Sequence, residues 1–469
     1  MDNSPNASLH ENTLILMERT GVRVESEPAL NLLADHNVRI DWESKRVHPR
    51  PDQVQQALDS APRSFNVYGR LTENPLVIGS DNVYVESGGA SVRVLALDGH
   101  YEAATWEHLR QFNTLLDALP NIHMLLNQVD PLGDPSLGFY QRLAAEMLIT
   151  TPKPCCFQAG SGADVTAMVA MGAVIRGSTQ GLAEKPVFIT GSNAEPPLCI
   201  PEHAAEILMT ASRAGIPCGV GDYVMMGISA PTTLAGALIQ RNAVQLIALV
   251  LSQMVRPGAP FYYTGSSASA NMRTLDPITA NPAALRMLRA AVRLGRWYGL
   301  PVVGLATTDA KQPDPQAAVE MAVSFLVAME AGAHLIQGPT SMMDQMMLSS
   351  FAQAVIDNDI VGYLLAARGD LAISPETLAI DVIDQVVTNP SLEALKFAGH
   401  PHTARHLRED LWEPAVFSYD SFTTWQKKGS LSLLERANVR ARDILSHHQP
   451  EPLAPDLANE IRRIAQASH

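Results

Sequence analysis

Residues 202–224 read EHAAEILMTASRAGIPCGVGDYV, and their pattern decides the fold class. Residues 202–214 carry the apolar spacing of an amphipathic helix, Gly215-Ile216-Pro217 stops it, and 216–224 is a short apolar run of strand character. The same alternation recurs along the chain at a spacing of roughly 30 to 40 residues, the rhythm of parallel strands joined by helical crossovers.

Working outward, the runs at 84–87, 122–129, 154–158, 186–191, 216–224, 260–264, 301–306 and 334–337 predict eight strands. Helical patterns at 105–118, 138–149, 164–175, 202–214, 232–255, 282–298 and 314–331 fill the gaps between them. Pro or Gly precedes many strands, as in Lys153-Pro154, Lys185-Pro186 and Gly299-Leu300-Pro301. The expected architecture is α/β: one (β/α)8 TIM barrel over 83–340, an N-terminal helical cap at 1–82 and a C-terminal helical extension at 341–469. The extension is read as helical at 343–365 and 375–387, and it either caps the barrel or makes a homo-oligomer.

Hydrophobic residues make up 46% of the chain and charged residues 17%, enough to bury a large core. Lys plus Arg total 34 against 48 Asp plus Glu, and the net charge of −14 repels a phosphate backbone, so no nucleic acid partner is expected. Cys155, Cys156, Cys199 and Cys218 lack zinc-ligand spacing and are read as reduced core thiols. The N-terminal segment has no basic start followed by an apolar stretch. The most apolar helix, 232–255, is interrupted by Gln240, Arg241, Asn242, Gln245 and Gln253, which lipid would strand. It is read as a buried helix, and the protein as cytoplasmic with no membrane partner. Neither a Gly-Lys-Ser/Thr phosphate loop nor a Gly-x-Ser-x-Gly elbow is present, and Gly88-Gly89-Ala90-Ser91-Val92-Arg93 does not make a dinucleotide-binding turn.

A barrel places its active site at the C-terminal ends of the strands. Those ends carry Glu86, Ser87, Asn127, Asp130, Gln158, Ser161, Asn193, Asp222, Tyr223, Tyr262, Tyr263, Thr307, Asp309 and Gln337, mostly neutral hydrogen-bonding and aromatic groups. No metal site assembles from them. A glycosidase pair, Glu86 with Asp222 or Asp309, qualifies on position alone. Tyr223, Met225 and Met226 after one strand, and Phe261, Tyr262 and Tyr263 in another, are either barrel packing or a box for a quaternary ammonium, whose charge aromatic faces attract. Met342, Met343, Met346 and Met347 fall at roughly helical spacing and are read as core.

The stretch Met225-Met226-Gly227-Ile228-Ser229-Ala230-Pro231-Thr232-Thr233-Leu234-Ala235-Gly236-Ala237-Leu238 closely resembles a signature of the trimethylamine methyltransferase family. The pattern continues through Asn242-Ala243, Leu249-Val250-Leu251-Ser252-Gln253, Pro257-Gly258-Ala259-Pro260 and Asn271-Met272-Arg273-Thr274. Similarity also touches His10-Glu11-Asn12, Thr308-Asp309-Ala310-Lys311, His402-Thr403 and Glu435-Arg436-Ala437, so it spans nearly the whole chain. Two positions depart: Val244 stands where the family usually has an acid, and Asn271 where an Asp usually precedes Met-Arg-Thr. Around Gln337 to Met342, near where trimethylamine enzymes of methanogens carry pyrrolysine, this chain has standard residues.

The resemblance implies a barrel whose substrate methyl is taken by the Co(I) of a cognate corrinoid protein docking over the mouth. The corrinoid, as methylcobalamin after transfer, would come from that partner, with no cofactor bound tightly by the chain itself. Chains of this type without pyrrolysine look like glycine betaine, proline betaine and carnitine methyltransferases, so a quaternary amine is the expected substrate, with glycine betaine favoured. The alternatives are another methylated amine, such as trimethylamine, and a noncatalytic betaine-binding protein. No catalytic side chain is assigned. Tyr223, Phe261, Tyr263, Asp309 and Gln337 are expected to converge on the quaternary ammonium, and Arg273, His334 or His402 to meet a betaine carboxylate.

Overall fold

The computed structural model describes residues 4–131, 138–389, 396–410 and 412–467. Leu125–Leu126, Cys155–Gln158, Phe188–Ala194 and Cys218–Asp222 form one parallel sheet in that order. Val303–Leu305, Leu335–Gln337 and Tyr84–Glu86 form a second. Single parallel bridges connect the two: Glu86 to Met124 on one side, and Cys218 to Phe261 and Tyr263 to Val302 on the other. The predicted runs therefore follow one another in chain order, each paired in parallel with the next and the last with the first. The run at 122–129 is less regular than expected, with a ladder only at Leu125–Leu126, and 260–264 pairs through bridges alone.

The helices between the strands start and stop where their caps dictate. Ser161, Asn281 and Asp314 each accept a hydrogen bond from the backbone N–H three residues on. The Glu202–Ala214 helix ends on Gly215, whose φ of 73° is the left-handed conformation that lets its N–H return to Ala211 and Ser212.

Side-chain alternation divides the apolar residues into two packed layers. Val85, Leu125, Phe157, Phe188, Val220, Phe261, Tyr263, Val302 and Ile336 join the main core with the surrounding helices. Met124, Leu126, Cys156, Ile189, Tyr262, Val303 and Leu335 form a separate inner cluster with Phe65, Val67 and Ile78. The last three belong to the antiparallel hairpin Phe65–Val67 and Leu76–Ile78, which stoppers the end of the strands opposite their C-termini.

Leu234–Val255 is the one helix among the described residues long and apolar enough to cross a membrane, and most of it is buried inside the protein. Its polar residues fasten the strand ends. Gln245 donates to the Val220 carbonyl and accepts from Thr264 N–H, and Arg241 donates to the Gly265 carbonyl at 2.8 Å. Asn242 donates to Thr13 and Tyr298, tying in the N-terminal helix Pro5–Arg19. Val244 is fully buried in the main core. All four cysteines are buried and free.

The extension departs from expectation in two places. No helix runs through 343–350; the chain forms a loop and a short strand, Leu348–Ser350, before the helix Phe351–Ala367. Ser341, Asp344, Gln345 and Met346 all have positive φ, which a helix cannot continue through. The second helix breaks in two at Ala379, φ 49°, giving Pro375–Leu378 and Ile380–Thr388.

Candidate active site

Two adjoining cavities occupy the centre of the strand cycle toward the C-terminal ends. The upper, about 290 Å³, is walled by Gln158, Asn193, Asp222, Tyr223, Thr264, Gln337, Met342 and Met346 among others. The lower, about 100 Å³, shares Gln158, Asn193, Thr264 and Gln337 and adds Glu86, Cys156 and Tyr262. The lower walls include Gly191 and Gly219, where a Cβ would collide with the Tyr262 ring or hydroxyl; small residues here let Tyr262 lie across the floor.

Asp222 ends its strand fully buried. Among the described residues neither of its carboxylate oxygens has a hydrogen-bond partner. Burial pushes its carboxyl up to about 7, partly countered by the Arg241 guanidinium behind it. Glu86 is 2% exposed, and burial pushes it up to about 8 against a small opposing pull from the Cys156 thiol. Two buried carboxyls thus stand at the two cavities, both with proton affinities raised by burial.

The predicted site residues divide by where the backbone aims them. Tyr223 and Gln337 line the upper cavity. Burial, with the charge of Asp309 nearby, pushes the Tyr223 phenol up to about 12, so it is neutral. Asp309 is buried but bound into the fold, accepting hydrogen bonds from Thr279 N–H, the Thr279 hydroxyl and Ala280 N–H. Phe261 and Tyr263 point outward into the helix layer and line neither cavity. The face of Tyr263 is already met by a cation, Arg241, 5.8 Å from the ring centroid, and its hydroxyl donates to Asn242. The inward side chain of that run is Tyr262.

None of the three expected carboxylate donors is on the cavity wall. His334 opens its strand at the opposite end, where its Nδ1 accepts from Val302 N–H. Burial, with Arg296 adjacent, pushes it down to about 4, leaving a neutral ring. Arg273 is exposed in a turn after the Ser267–Ala270 strand, and Asn271 Oδ1 caps its N–H. An Asp at 271 would accept the same bond. His402 begins the Pro401–Asp410 helix and packs against His406.

Glu86 and Asp222, weighed in the sequence only as a glycosidase pair, and Tyr262, weighed only within its aromatic run, were not assigned to the ammonium site. All three stand among the strand-end groups; the missing signal was which face of each strand looks inward. Among the described residues no group of three His, Cys, Asp or Glu is arranged to hold a metal.

A family model described as trimethylamine methyltransferase (MTTB) matches residues 1–467. The chain belongs to this family. It is a methyltransferase, and the family is corrinoid-dependent. A trimethylamine methyltransferase, MttB, of Desulfitobacterium hafniense is 30% identical over 464 residues, covering 98% of this chain and 92% of that protein. The glycine betaine methyltransferase of another strain of the same species is 28% identical over 456 residues, covering 97% and 94%. Among solved structures, the hydroxylamine complex of MtmB superposes with a TM-score of 0.50 at 10% identity, covering 95% of this methyltransferase and 87% of that chain. At that identity the likeness concerns the fold.

Proposed function

We propose that this methyltransferase removes a methyl group from a small quaternary amine, glycine betaine being the favoured one, and delivers it to the corrinoid of a separate partner protein. The strand cycle is read as a closed (β/α)8 barrel, with the two cavities forming its active site and the mouth at the C-terminal ends. The partner's reduced corrinoid supplies the nucleophile that takes the methyl.

The observation that carries this reading is the Asp222 carboxylate, which lies behind the upper cavity wall with neither oxygen exposed and, among the described residues, without a hydrogen-bond donor. A buried carboxylate ordinarily collects donors. A quaternary ammonium has no N–H to give, and a carboxylate kept free of donors complements it by charge alone. Tyr223 adds an aromatic neighbour. Met342 and Met346 give the methyl groups an apolar wall that excludes water. The nitrogen leaves as a neutral amine when a methyl departs, so no general acid is required, and the chain's work is alignment.

The test is methyl transfer from a panel of glycine betaine, proline betaine, carnitine, tetramethylammonium and trimethylamine to a reduced corrinoid, with wild type and Asp222→Asn. The variant is expected to raise KM on the order of 10- to 100-fold, a Coulomb loss of about 1.4 to 2.8 kcal/mol. Wild-type KM is expected to climb as pH falls below about 7, where Asp222 takes up a proton, and the variant to show no such climb. An unchanged KM and pH profile in Asp222→Asn sinks the assignment.

A further inference from the structure

The upper cavity accounts for the ammonium and leaves the lower cavity without an occupant. Its floor presents Glu86, a carboxyl 2% exposed that borders open volume. The polar group the fold sets against it is the Cys156 thiol, a weak partner. Above it the shared wall offers the amides of Gln158, Asn193 and Gln337. No Lys, Arg or His lines either central cavity among the described residues. The floor is therefore rich in neutral donors and has no cation.

We propose that Glu86 recognises the carboxylate end of a zwitterionic substrate, donating its carboxyl O–H from the cavity floor while the ammonium end lies above it beside Asp222. This deepens the methyltransferase reading of the site and rests on it. Orientation follows from the reaction: the departing methyl must face the mouth, so the rest of the molecule points down. Of the two acids, Asp222 has a cation, Arg241, favouring its ionised form, whereas Glu86 has only the Cys156 thiol beside it and burial holds it as the acid. A buried O–H with no strong acceptor in the fold is a cost that a ligand carboxylate removes. An O–H to O⁻ hydrogen bond of this kind is among the stronger ones available to a neutral donor.

The groups on the floor around Glu86 do not titrate alongside it. Cys156 and Tyr262, across the floor, are both pushed well above their ordinary range by burial. His123, in the segment beside the Glu86 strand, is pushed down to about 4 by burial and Lys153. Asp222 in the cavity above titrates near 7. Loss of the Glu86 proton above about pH 8 then removes the donor and sets a like charge against the substrate carboxylate.

The experiment is calorimetric binding of glycine betaine and of tetramethylammonium, which lacks a carboxylate, to wild type, Glu86→Gln and Glu86→Ala between pH 6.5 and 9.5. Wild type is expected to bind glycine betaine with a Kd that rises about tenfold per pH unit above about pH 8, and tetramethylammonium with no such rise. Glu86→Gln keeps a donor that cannot ionise, so it is expected to retain binding near neutral pH and lose the alkaline rise. Glu86→Ala should weaken glycine betaine at least about tenfold and leave tetramethylammonium unchanged. Equal effects on both ligands, or none on either, overturn the proposal. Because binding is read without turnover, failure of methyl transfer with intact binding would count against the methyltransferase reading of the site and leave this assignment standing.

Discussion

At the scale of single residues, the triplet Phe261-Tyr262-Tyr263 shows how a correct inventory is misassigned. All three aromatics were visible in the sequence. Alternation along a strand sends the middle one to the opposite face from its neighbours. Here Tyr262 turns inward and donates to the Thr190 carbonyl at 2.8 Å, while Tyr263 turns outward to Asn242 at 3.2 Å. A single run of apolar residues buried on both faces carries no mark of which face is the interior. Glu86 and Asp222 were named at strand ends, but their burial depends on segments far apart in sequence and could not be read there. Tyr223 follows its strand and Gln337 ends its own, and both line the upper cavity. It follows that Tyr263→Phe should lower stability by about 0.5 to 1.5 kcal/mol, the worth of one buried hydrogen bond, and leave KM for the amine unchanged. Denaturant unfolding together with steady-state kinetics checks this, and a raised KM at unchanged stability would return Tyr263 to the binding wall.

At the scale of elements, strands and crossover helices were legible because their signals are local: caps, glycine stops and apolar periodicity. The loop from Gly338 to Ser350 was not, because its shape is imposed by distant partners. Thr340 donates to the Gln128 side chain and accepts from Gly88 N–H. Asp357, from the following helix, accepts from Ser341 N–H at 2.6 Å, and Arg93 pairs with Asp344 at 2.7 Å. The methionine spacing that suggested a helix instead delivers Met342 and Met346 to the cavity from a backbone of positive-φ residues. Gly338, φ 102°, is the hinge of this arrangement, and a Cβ there would strike the Ala306 carbonyl and the Met342 side chain. Gly338→Ala should therefore cost more than about 1 kcal/mol of stability and displace Met342. KM for the amine rises with it, whereas alanine at Gly177, exposed with open space around it at φ 78°, should cost stability through the backbone alone and leave KM unchanged. A Gly338→Ala enzyme with wild-type melting and kinetics would show that the loop does not shape the site.

At the scale of the molecule, the two ends of the strand cycle are unlike, and this bears on how a partner approaches. One end is closed by the Phe65–Val67 and Leu76–Ile78 hairpin packed into the inner cluster. The other carries the cavity, with Met346 on its wall and Met347, 41% exposed, beside it. On the proposed reading the methyl group lies at the level of Tyr223 and is reached from that side, so a corrinoid protein should dock over the 338–350 loop and not over the hairpin. Because all four native cysteines are buried, a single introduced thiol can be labelled selectively with a bulky maleimide. Labelled Met347→Cys should bind the amine normally by calorimetry and yet transfer methyl to a corrinoid protein at least about tenfold more slowly, a loss of about 1.4 kcal/mol or more in the productive encounter. Labelled Leu71→Cys, at an exposed position between the two hairpin strands, should behave as wild type in both measurements. Comparable slowing from the two labels would overturn docking over the loop, and slowing from Leu71→Cys alone would place the partner on the hairpin side and reverse the direction in which the substrate is read to lie.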